Sequence, residues 1–197
     1  MIAVVLAYLL GSLSFAVLVS RLSGLPDPRS HGSGNPGATN MLRTGRKGAA
    51  LLTLLGDLAK GWLAVVCARL LHEAGYAPLW AIDGAAVAVL LGHMYPLYFG
   101  FRGGKGVATA LGVLLALSPL LGVVCAVLWL LVFSLTRISS LSALLAALAA
   151  PLAGWWLLGN RRAVLALGML SVLIIWRHRA NIVRLLSGQE GRFAGPK

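Results

Sequence analysis

Long apolar segments recur from one end of the chain to the other, and they restrict it to the folds that a lipid bilayer permits. Of the 197 residues, 59% are hydrophobic and only 11% are charged. A transmembrane helix needs about 20 mostly apolar residues, or somewhat fewer where the bilayer is locally thin. The candidate spans are 2–20, 49–71, 79–98, 107–117, 119–135, 138–158 and 163–177. The sequence therefore predicts an all-α integral membrane protein with a single polytopic domain over residues 1–197.

Residues 107–135 allow two interpretations: two short spans broken at Ser118-Pro119, or one long kinked helix. The distribution of basic residues separates the two. With seven spans, 13 of the 17 lysines and arginines lie on one side of the membrane, including all those from Arg177 to Lys197. With six spans the tail would lie outside, and the excess of basic residues on one side of the membrane would nearly vanish. The positive-inside rule therefore favours seven transmembrane helices, with the N-terminus outside and the C-terminus cytoplasmic.

The stretch "SHGSGNPGATNMLR", residues 30–43, is the first of two glycine-rich loops that this topology places on the cytoplasmic face. Gly32, Gly34 and Gly37 permit positive φ and close approach, so backbone N–H groups can point into one concavity and hold an anion. The side chains that add donors or charge suited to phosphate are Ser33, Asn35, Thr39, Asn40 and Arg43. A flexible turn between spans is the alternative, since glycine and asparagine are ordinary turn residues.

The second loop, "FRGGKGVAT", residues 101–109, places Gly103, Gly104 and Lys105 directly before a predicted helix. Backbone N–H groups at a helix start, together with a lysine, form a ready site for phosphate. The loop is not a Walker A motif, because the required spacing is absent and no strand precedes it. A plain cytoplasmic loop is the alternative, but two glycine-rich basic loops on one face favour phosphate binding.

The tail "WRHRANIVRLLSGQE" is typical of an amphipathic helix. At about 100° per residue, Arg177, Asn181 and Arg184 share an arc that ends at His178. The residues opposite this arc are Ile182, Leu185 and Leu186. An interfacial helix whose arginines contact anionic lipid is the alternative interpretation. The arrangement permits lipid contact and a role in the active site at once, with His178 and Asn181 facing that site.

Asp57 and Lys60 lie one helical turn apart inside a predicted span. Ionisable residues at that depth are candidates for function, although a mutually neutralising structural pair explains them equally well. His93, in the following span, is predicted to be a core histidine with satisfied hydrogen bonds. Ser140 lies in a short loop on the same face as the other donors.

The chain offers few groups for metal or acid–base chemistry. Its five acidic residues form no paired carboxylates and no aspartate cluster, so a metal-dependent phosphotransferase is disfavoured, and no metal or other cofactor is expected. None of the four histidines has an aspartate five positions on, so the H-x-x-x-x-D pair of thioester-using glycerolipid acyltransferases is missing. Cys67 and Cys125 lie in apolar segments and predict neither a disulfide nor a zinc site. The net charge of +12 is attributed to cytoplasmic loops and phosphate-bearing ligands rather than to nucleic acid.

These stretches together resemble the bacterial acyl-phosphate:glycerol-3-phosphate acyltransferases, integral inner-membrane enzymes of phospholipid synthesis. The three inner-face motifs of that family are similar to "GSGNPGATN" with Arg43, to "GHMYPLYFGFRGGKGVAT" and to "HRANIVRLLSGQE". "GSLSF", "DLAKG" and "RISSL" also match, although the family more usually has an aromatic residue after the arginine of the last motif. The resemblance covers nearly the whole chain.

The resemblance implies a seven-helix enzyme that transfers a fatty acyl group from acyl phosphate to the 1-hydroxyl of glycerol 3-phosphate, giving lysophosphatidic acid and phosphate. It implies a multi-pass protein of the bacterial inner membrane, among membrane lipids, with its active site on the cytoplasmic face. The predicted catalytic residues are Ser33, Lys105 and His178. The predicted substrate-binding residues are Asn35, Asn40, Arg43, Gly103, Gly104, Thr109, Ser140, Asn181 and Arg184. Either His178 or a phosphate oxygen of a substrate can take the proton, and the sequence leaves both open.

Two other classes of protein explain parts of the sequence. A transporter for a phosphorylated solute would also use basic loops and an intramembrane ion pair. It is disfavoured because the two halves of the chain show no convincing repeat and no matching glycine or proline breaks. A lipid-binding scaffold explains the basic tail but not the glycine-rich loops.

Overall fold

A computed structural model of the chain describes residues 1–193, and all regular secondary structure within that range is helical. The helices are α1 (Ile2–Gly11), α2 (Phe15–Leu22), α3 (Ala38–Leu42), α4 (Lys47–Glu73), α5 (Trp80–Met94), α6 (Val107–Leu117), α7 (Pro119–Thr136), α8 (Ser139–Leu158), α9 (Arg161–Arg177) and α10 (Arg179–Leu186). A 3-10 turn, Leu97–Phe99, lies between α5 and α6. Lys197, counted above with the cytoplasmic charges, lies outside the described residues.

The lengths of these helices are those of a membrane protein. Within the described range, α4, α7, α8 and the segment Trp80–Phe99 are each long and apolar enough to cross a bilayer. The pairs α1–α2 and α9–α10 qualify as bent spans, with bends of 44° and 63°. The α6 helix has 11 residues and is therefore only about 16 Å long, roughly half of the hydrocarbon thickness. The predicted all-α membrane fold is confirmed at this level, with up to six spans by length and composition.

The predicted span 2–20 is formed by two helices rather than one continuous helix, because the chain opens between Gly11 and Phe15. The Ser12 hydroxyl donates to the carbonyl of Tyr8 (2.9 Å) and accepts from the N–H of Leu97 (3.2 Å). The carbonyl of Leu13 accepts a hydrogen bond of 2.6 Å from Lys60 Nζ. A buried lysine thus satisfies a backbone group that the break leaves without its helical partner.

The break at Ser118 separates two helices, as one of the two interpretations predicted. Ser118 is extended, with φ −156° and ψ 118°, and its hydroxyl accepts from the N–H of Leu121 at 3.3 Å as an N-cap. Pro119 opens α7, at the one helical position where its missing N–H costs nothing. Gly122 of α7 lies against Leu115 of α6 across the break, so α6 and α7 are separate elements.

The α4 helix lies at the centre of the bundle, in contact with α1, α2, α5 and α6, while α7, α8 and α9 pack in sequence and α9 returns to α5. Helices α4 and α6 approach each other backbone to backbone. A Cβ at Gly61 would collide with the carbonyl of Thr109, and a Cβ at Gly112 with that of Leu58. Small residues allow this backbone contact between membrane helices. It also fixes the start of α6, and hence the glycine-rich loop before it, relative to α4.

Candidate active site

The first glycine-rich loop is organised by the buried side chain of Asn40. Asn40 Oδ1 accepts from the N–H of Ser33 (2.9 Å), and its Nδ2 donates to the carbonyls of Pro28 (2.8 Å) and His31 (3.1 Å). Asn40 was predicted to bind substrate. It lines the cavity described below, but these three hydrogen bonds hold the loop itself together.

The three glycines predicted to permit positive φ do not all use it. Gly32 and Gly34 are left-handed, with φ of +59° and +66°, whereas Gly37 is extended at φ −159°. The N–H of Gly34 bonds to the His31 carbonyl and that of Gly37 to the Asn35 carbonyl. These amides, like that of Ser33, are therefore engaged inside the loop.

A hydrogen bond from Arg29 links the segment just before the first loop to the segment just before the second. Arg29 Nη2 lies 2.7 Å from Asp27 Oδ2, and Arg29 Nη1 donates to the carbonyl of Phe99 at 3.2 Å. The hydrogen bonds from Arg29 lower the pKa of Asp27 to about 2, so the carboxylate stays ionised at neutral pH. The two glycine-rich loops consequently form one unit at this end of the bundle, which we call the loop end.

In the second loop, Gly103 and Gly104 pack closely against neighbouring residues. A Cβ at Gly104 would meet the His93 ring and the Pro36 carbonyl. The carbonyls of Gly103 and Gly104 accept from the Arg177 guanidinium at 2.8 Å and 3.1 Å. Neither glycine is among the residues that line the cavity described below, and neither is the fully buried Thr109. All three were predicted to bind substrate.

Four side chains from three separate parts of the chain meet around Glu190. Lys105 Nζ donates to Asn181 Oδ1 at 2.6 Å, and Asn181 Nδ2 in turn donates to Glu190 Oε1. The Ser140 hydroxyl donates to the same carboxylate oxygen at 2.6 Å, and Arg184 Nε donates to Oε2 at 2.6 Å. Lys105, Ser140, Asn181 and Arg184 were predicted as site residues, and the structure brings them together.

Glu190 was missed as a site residue, although it ends the tail motif quoted above. One signal could have found it: it is the only acidic residue after Asp83 in a chain with five acids. Burial disfavours its charged form, but the hydrogen bonds from Ser140, Asn181 and Arg184 outweigh burial and lower the pKa of Glu190. The carboxylate is therefore ionised and orients the surrounding donors.

His178 is buried at the junction of α9 and α10. Its Nδ1 lies 2.8 Å from the carbonyl of Ile174. Because a carbonyl only accepts, Nδ1 carries the hydrogen and Nε2 is left as an acceptor. Burial, followed by the positive charge of Lys105, lowers the pKa of His178 to about 4. The imidazole is therefore neutral at physiological pH and can accept a hydrogen bond from a hydroxyl.

A cavity of about 970 Å³ connects this polar cluster with the apolar interior. At the loop end its wall contains nine predicted site residues: Ser33, Asn35, Asn40, Arg43, Lys105, Ser140, His178, Asn181 and Arg184. Farther in, apolar side chains from α6, α7, α8 and α9 form the wall: Leu111, Leu114, Cys125, Trp129, Ala143, Ala147, Ala150, Leu167, Leu170 and Ile174. One cavity thus offers cationic and hydrogen-bonding groups at one end and an apolar groove at the other.

The buried ionisable residues of α4 and α5 also reach this cavity. Lys60 Nζ lies 2.8 Å from Asp57 Oδ1, so the predicted pair is formed, and His93 Nδ1 lies 3.5 Å from the same oxygen. Asp57 and His93 both contribute to the cavity wall. His93 is buried as predicted, but its Nδ1 forms no hydrogen bond within residues 1–193.

The fold and the cavity together define a class: an α-helical integral membrane protein built to hold an amphiphilic, anionic molecule. The family model for glycerol-3-phosphate acyltransferase matches residues 1–188 of the chain. The chain therefore belongs to the glycerol-3-phosphate acyltransferase family, and the resemblance inferred from its motifs is confirmed.

Individual relatives agree over almost the full length. The glycerol-3-phosphate acyltransferase of Methylobacillus flagellatus is 58% identical over 191 residues, which cover 96% of this chain and 95% of that protein. The enzyme of the same name from Thioalkalivibrio sulfidiphilus is 59% identical over 184 residues, 93% of this chain and 89% of that protein.

Two solved structures share the fold. Both are crystal structures of PlsY (YgiH), an integral membrane glycerol 3-phosphate acyltransferase, one in a glycerol 3-phosphate form and one in a lysophosphatidic acid form. Their TM-scores with this chain are 0.90 and 0.89, at 39% and 38% sequence identity. In each case the match covers 98% of this chain and 94% of the other.

Proposed function

We propose that this protein transfers a fatty acyl group from acyl phosphate to the 1-hydroxyl of glycerol 3-phosphate, with lysophosphatidic acid and inorganic phosphate as products. The observation that carries the proposal is the single cavity whose donor-rich loop end continues into an apolar groove. A phosphorylated acyl donor needs both halves of such a cavity, and glycerol 3-phosphate needs the polar half. Family membership and the bound forms of the PlsY structures support the same acceptor and product.

The phosphate groups bind at the loop end. In this proposal Ser33, Asn35 and Arg43 hold one phosphate through side chains, because the amides of Ser33, Gly34 and Gly37 are engaged inside the loop. Ser140 and Arg184, oriented by Glu190, hold the other. Guanidinium groups suit this task because they bind phosphate oxygens in pairs and stay charged. The remaining predicted binding residues act by shaping the segments that carry these groups: Asn40, Gly103, Gly104 and Thr109.

The reaction needs little acid–base chemistry from the protein. The 1-hydroxyl of glycerol 3-phosphate attacks the acyl carbonyl carbon, the new ester bond forms, and the bond from that carbon to the phosphate oxygen breaks. Lys105 stabilises the negative charge that develops on the carbonyl oxygen. Asn181, which accepts from Lys105 Nζ at 2.6 Å, holds the ammonium group in place.

The proton of the attacking hydroxyl goes to a phosphate oxygen rather than to the protein. A pKa of about 4 makes His178 a weak base at neutral pH, whereas the second pKa of a phosphate monoester is about 6. His178 therefore orients the hydroxyl through Nε2, and the departing phosphate of the acyl donor accepts the proton. A mixed anhydride has a good leaving group, so a stronger protein base is unnecessary.

We place this single polytopic domain in the bacterial inner membrane, with seven membrane segments and the loop end at the cytoplasmic surface among the lipid headgroups. The charge distribution of the loops supports this orientation. The exposed apolar side chains of α10, which include Val183 and Leu186, suit contact with the membrane interface.

Purified protein in detergent tests the proposal, because a micelle separates no compartments and supports no transport. With acyl phosphate and glycerol 3-phosphate we expect lysophosphatidic acid and inorganic phosphate in equal amounts. A folded, monodisperse preparation that makes no lysophosphatidic acid would reject the enzyme in favour of a transporter or a lipid-binding scaffold. Lys105→Met, whose activity should be strongly reduced but measurable at high enzyme concentration, serves as the control.

A further inference from the structure

The buried trio of Asp57, Lys60 and His93 takes no part in the steps above. Their exposed fractions are only 2%, 1% and 7%. Burying ionisable groups is costly, and replacing them by apolar residues of similar volume is often neutral or stabilising. Since packing alone does not require such a cluster, its position relative to the site is informative.

A continuous series of contacts runs from the break in the first span to the second glycine-rich loop. Lys60 Nζ donates to the Leu13 carbonyl (2.6 Å) and lies 2.8 Å from Asp57 Oδ1. Asp57 faces the His93 imidazole at 3.5 Å. The carbonyl of His93 accepts from the N–H of Gly104 at 3.1 Å.

The His93 ring also lies against the turn that carries Lys105. It occupies the space that a side chain at Gly104 would fill, and Gly104 immediately precedes Lys105. The same turn is also held by Arg177 through the carbonyls of Gly103 and Gly104. The turn thus contacts both the His93 ring and the Arg177 guanidinium, and His93 in turn faces Asp57.

We propose that His93, oriented by Asp57 and Lys60, is a positioning residue for Lys105 in the acyl transfer reaction. The inference rests on the proposed function. The Asp57 carboxylate lies 3.5 Å from Nδ1 and favours this orientation of the imidazole by electrostatic attraction rather than by a hydrogen bond. Lys60 fixes Asp57 and ties it to the opened end of α1. The trio acts through the placement of the Lys105 ammonium group and makes no contact with substrate in the proposed reaction.

A double-mutant cycle between His93 and Lys105 tests this role. His93→Leu removes the ring nitrogens and keeps an apolar side chain, and we expect it to lower kcat/KM roughly 10-fold or more. In a Lys105→Met background, assayed at high enzyme concentration, the same change should lower the residual kcat/KM by less than about 3-fold, because residues that act as a unit are not additive. An equal loss in both backgrounds would overturn the inference, since a general loss of folded protein affects both alike.

Rescue by a conservative variant gives a second readout. His93→Asn places a polar N–H near the position of Nδ1, where it again faces the Asp57 carboxylate, so this variant should recover to within about 3-fold of wild type. Activity of His93→Asn no better than that of His93→Leu would also overturn the inference. His72→Leu is the matched control, because that histidine bonds to the Ala77 carbonyl at the opposite end of α4, and it should retain wild-type activity.

The outcomes separate this inference from the proposed function. If wild-type protein makes no lysophosphatidic acid, the proposed function fails and the positioning role fails with it. If the wild type is active and His93→Leu is additive with Lys105→Met, only the positioning role fails. If His93→Leu does not fold, the double variant Asp57→Asn, Lys60→Met takes its place in the cycle with Lys105→Met. We expect the same non-additive loss of kcat/KM.

Discussion

At the scale of single residues, the cations of the loop end differ in how firmly they keep their charge. Arg43 and Arg184 carry guanidinium groups that remain charged at any physiological pH. Burial lowers the pKa of Lys105 to about 8, although the nearby carboxylate of Glu190 opposes that shift. The residue assigned to the developing oxyanion is therefore the one whose charge depends on pH near neutrality.

The lowered pKa of Lys105 predicts that activity falls at alkaline pH. Protonated Lys105 is the active form, so kcat/KM should fall as pH rises through about 8, because kcat/KM reports the ionisation of the free enzyme. Lys105→Arg keeps its proton at higher pH and should remove this limb while lowering the maximum rate. Initial-rate measurements from pH 6 to 10 check it, and an unchanged alkaline limb in Lys105→Arg would contradict the assignment.

Glu190 gives a prediction for stability. Glu190→Gln loses the charge that three donors share, and we expect it to destabilise the fold by about 1–3 kcal/mol at pH 7. Because the folded-state pKa is below the ordinary 4.5, this stabilisation is present above pH 4.5 and is lost as pH falls through the lower value. The difference in thermal midpoint from wild type should therefore shrink at low pH. The exposed Glu73→Gln is the control, and equal midpoints for the two variants at pH 7 would contradict the role given to Glu190.

At the scale of elements, the α6 helix is short because of where it starts. Its first turn lies beside Gly61, well inside α4, and the loop before it packs on His93 near the end of α5. The second glycine-rich loop therefore reaches into the bundle, and α6 covers only the remaining depth. The position of Lys105 depends on how closely α6 approaches α4.

Gly112→Ala tests that approach. The added methyl group would meet the Leu58 carbonyl, and relief requires α6 to move away from α4. We expect a destabilisation of about 1–3 kcal/mol together with a loss of activity. Gly168→Ala is the matched control, since open space surrounds that helical glycine and alanine favours a helix. A Gly112→Ala protein as stable and active as the control would show that the close contact is unimportant.

The apolar groove predicts a change in acyl-chain preference. From Ser140 to Ala150, α8 lines the cavity over ten residues, about 15 Å. Ala150→Phe fills the inner end, and we expect it to favour acyl phosphates shorter by several carbons in competition assays. Ala149→Phe, on the neighbouring position outside the cavity wall, should leave the preference unchanged. Identical preferences for the two variants would exclude this groove as the acyl site.

Most helices and both loops could be predicted because their signals are local. The division of 107–135 into α6 and α7 needed more, since the local sequence also fitted one kinked helix and the distribution of basic residues along the chain decided between them. Other features depend on partners that are distant in sequence. The break after Gly11 needs Lys60, and the role of Glu190 needs Ser140, which is 50 residues away. Gly103 and Gly104 had a phosphate-loop pattern, but their surroundings are set by His93 and Arg177.

For the molecule as a whole, the proposed reaction requires both glycine-rich loops and α10 to lie on one side of the membrane. The contacts between Arg29 and Phe99 and between Ser140 and Glu190 bring these segments together. The ends of α4 and α8 lie at the other end of the bundle, with Arg69 and Asp83 beside a small second cavity. The proposed seven membrane segments with an outside N-terminus are consistent with this arrangement.

Cysteine labelling in whole cells tests that orientation. In a Cys67→Ser, Cys125→Ser background, an impermeant maleimide should label Tyr76→Cys and Arg161→Cys in intact cells. Arg46→Cys and Ser187→Cys should react only after the membrane is permeabilised. All four positions are exposed, so burial does not explain a lack of reaction. Labelling of Ser187→Cys in intact cells would place α10 outside and contradict the orientation.

In the proposed reaction, the cavity directs the glycerol hydroxyl to the acyl carbon of acyl phosphate. Acyl phosphate is a mixed anhydride that can also be attacked at phosphorus, so the product that carries the hydroxyl oxygen distinguishes the two reactions. With ¹⁸O in the 1-hydroxyl of glycerol 3-phosphate, we expect all label in the ester of lysophosphatidic acid and none in inorganic phosphate. Label in a new phosphate ester, with release of free fatty acid, would contradict it.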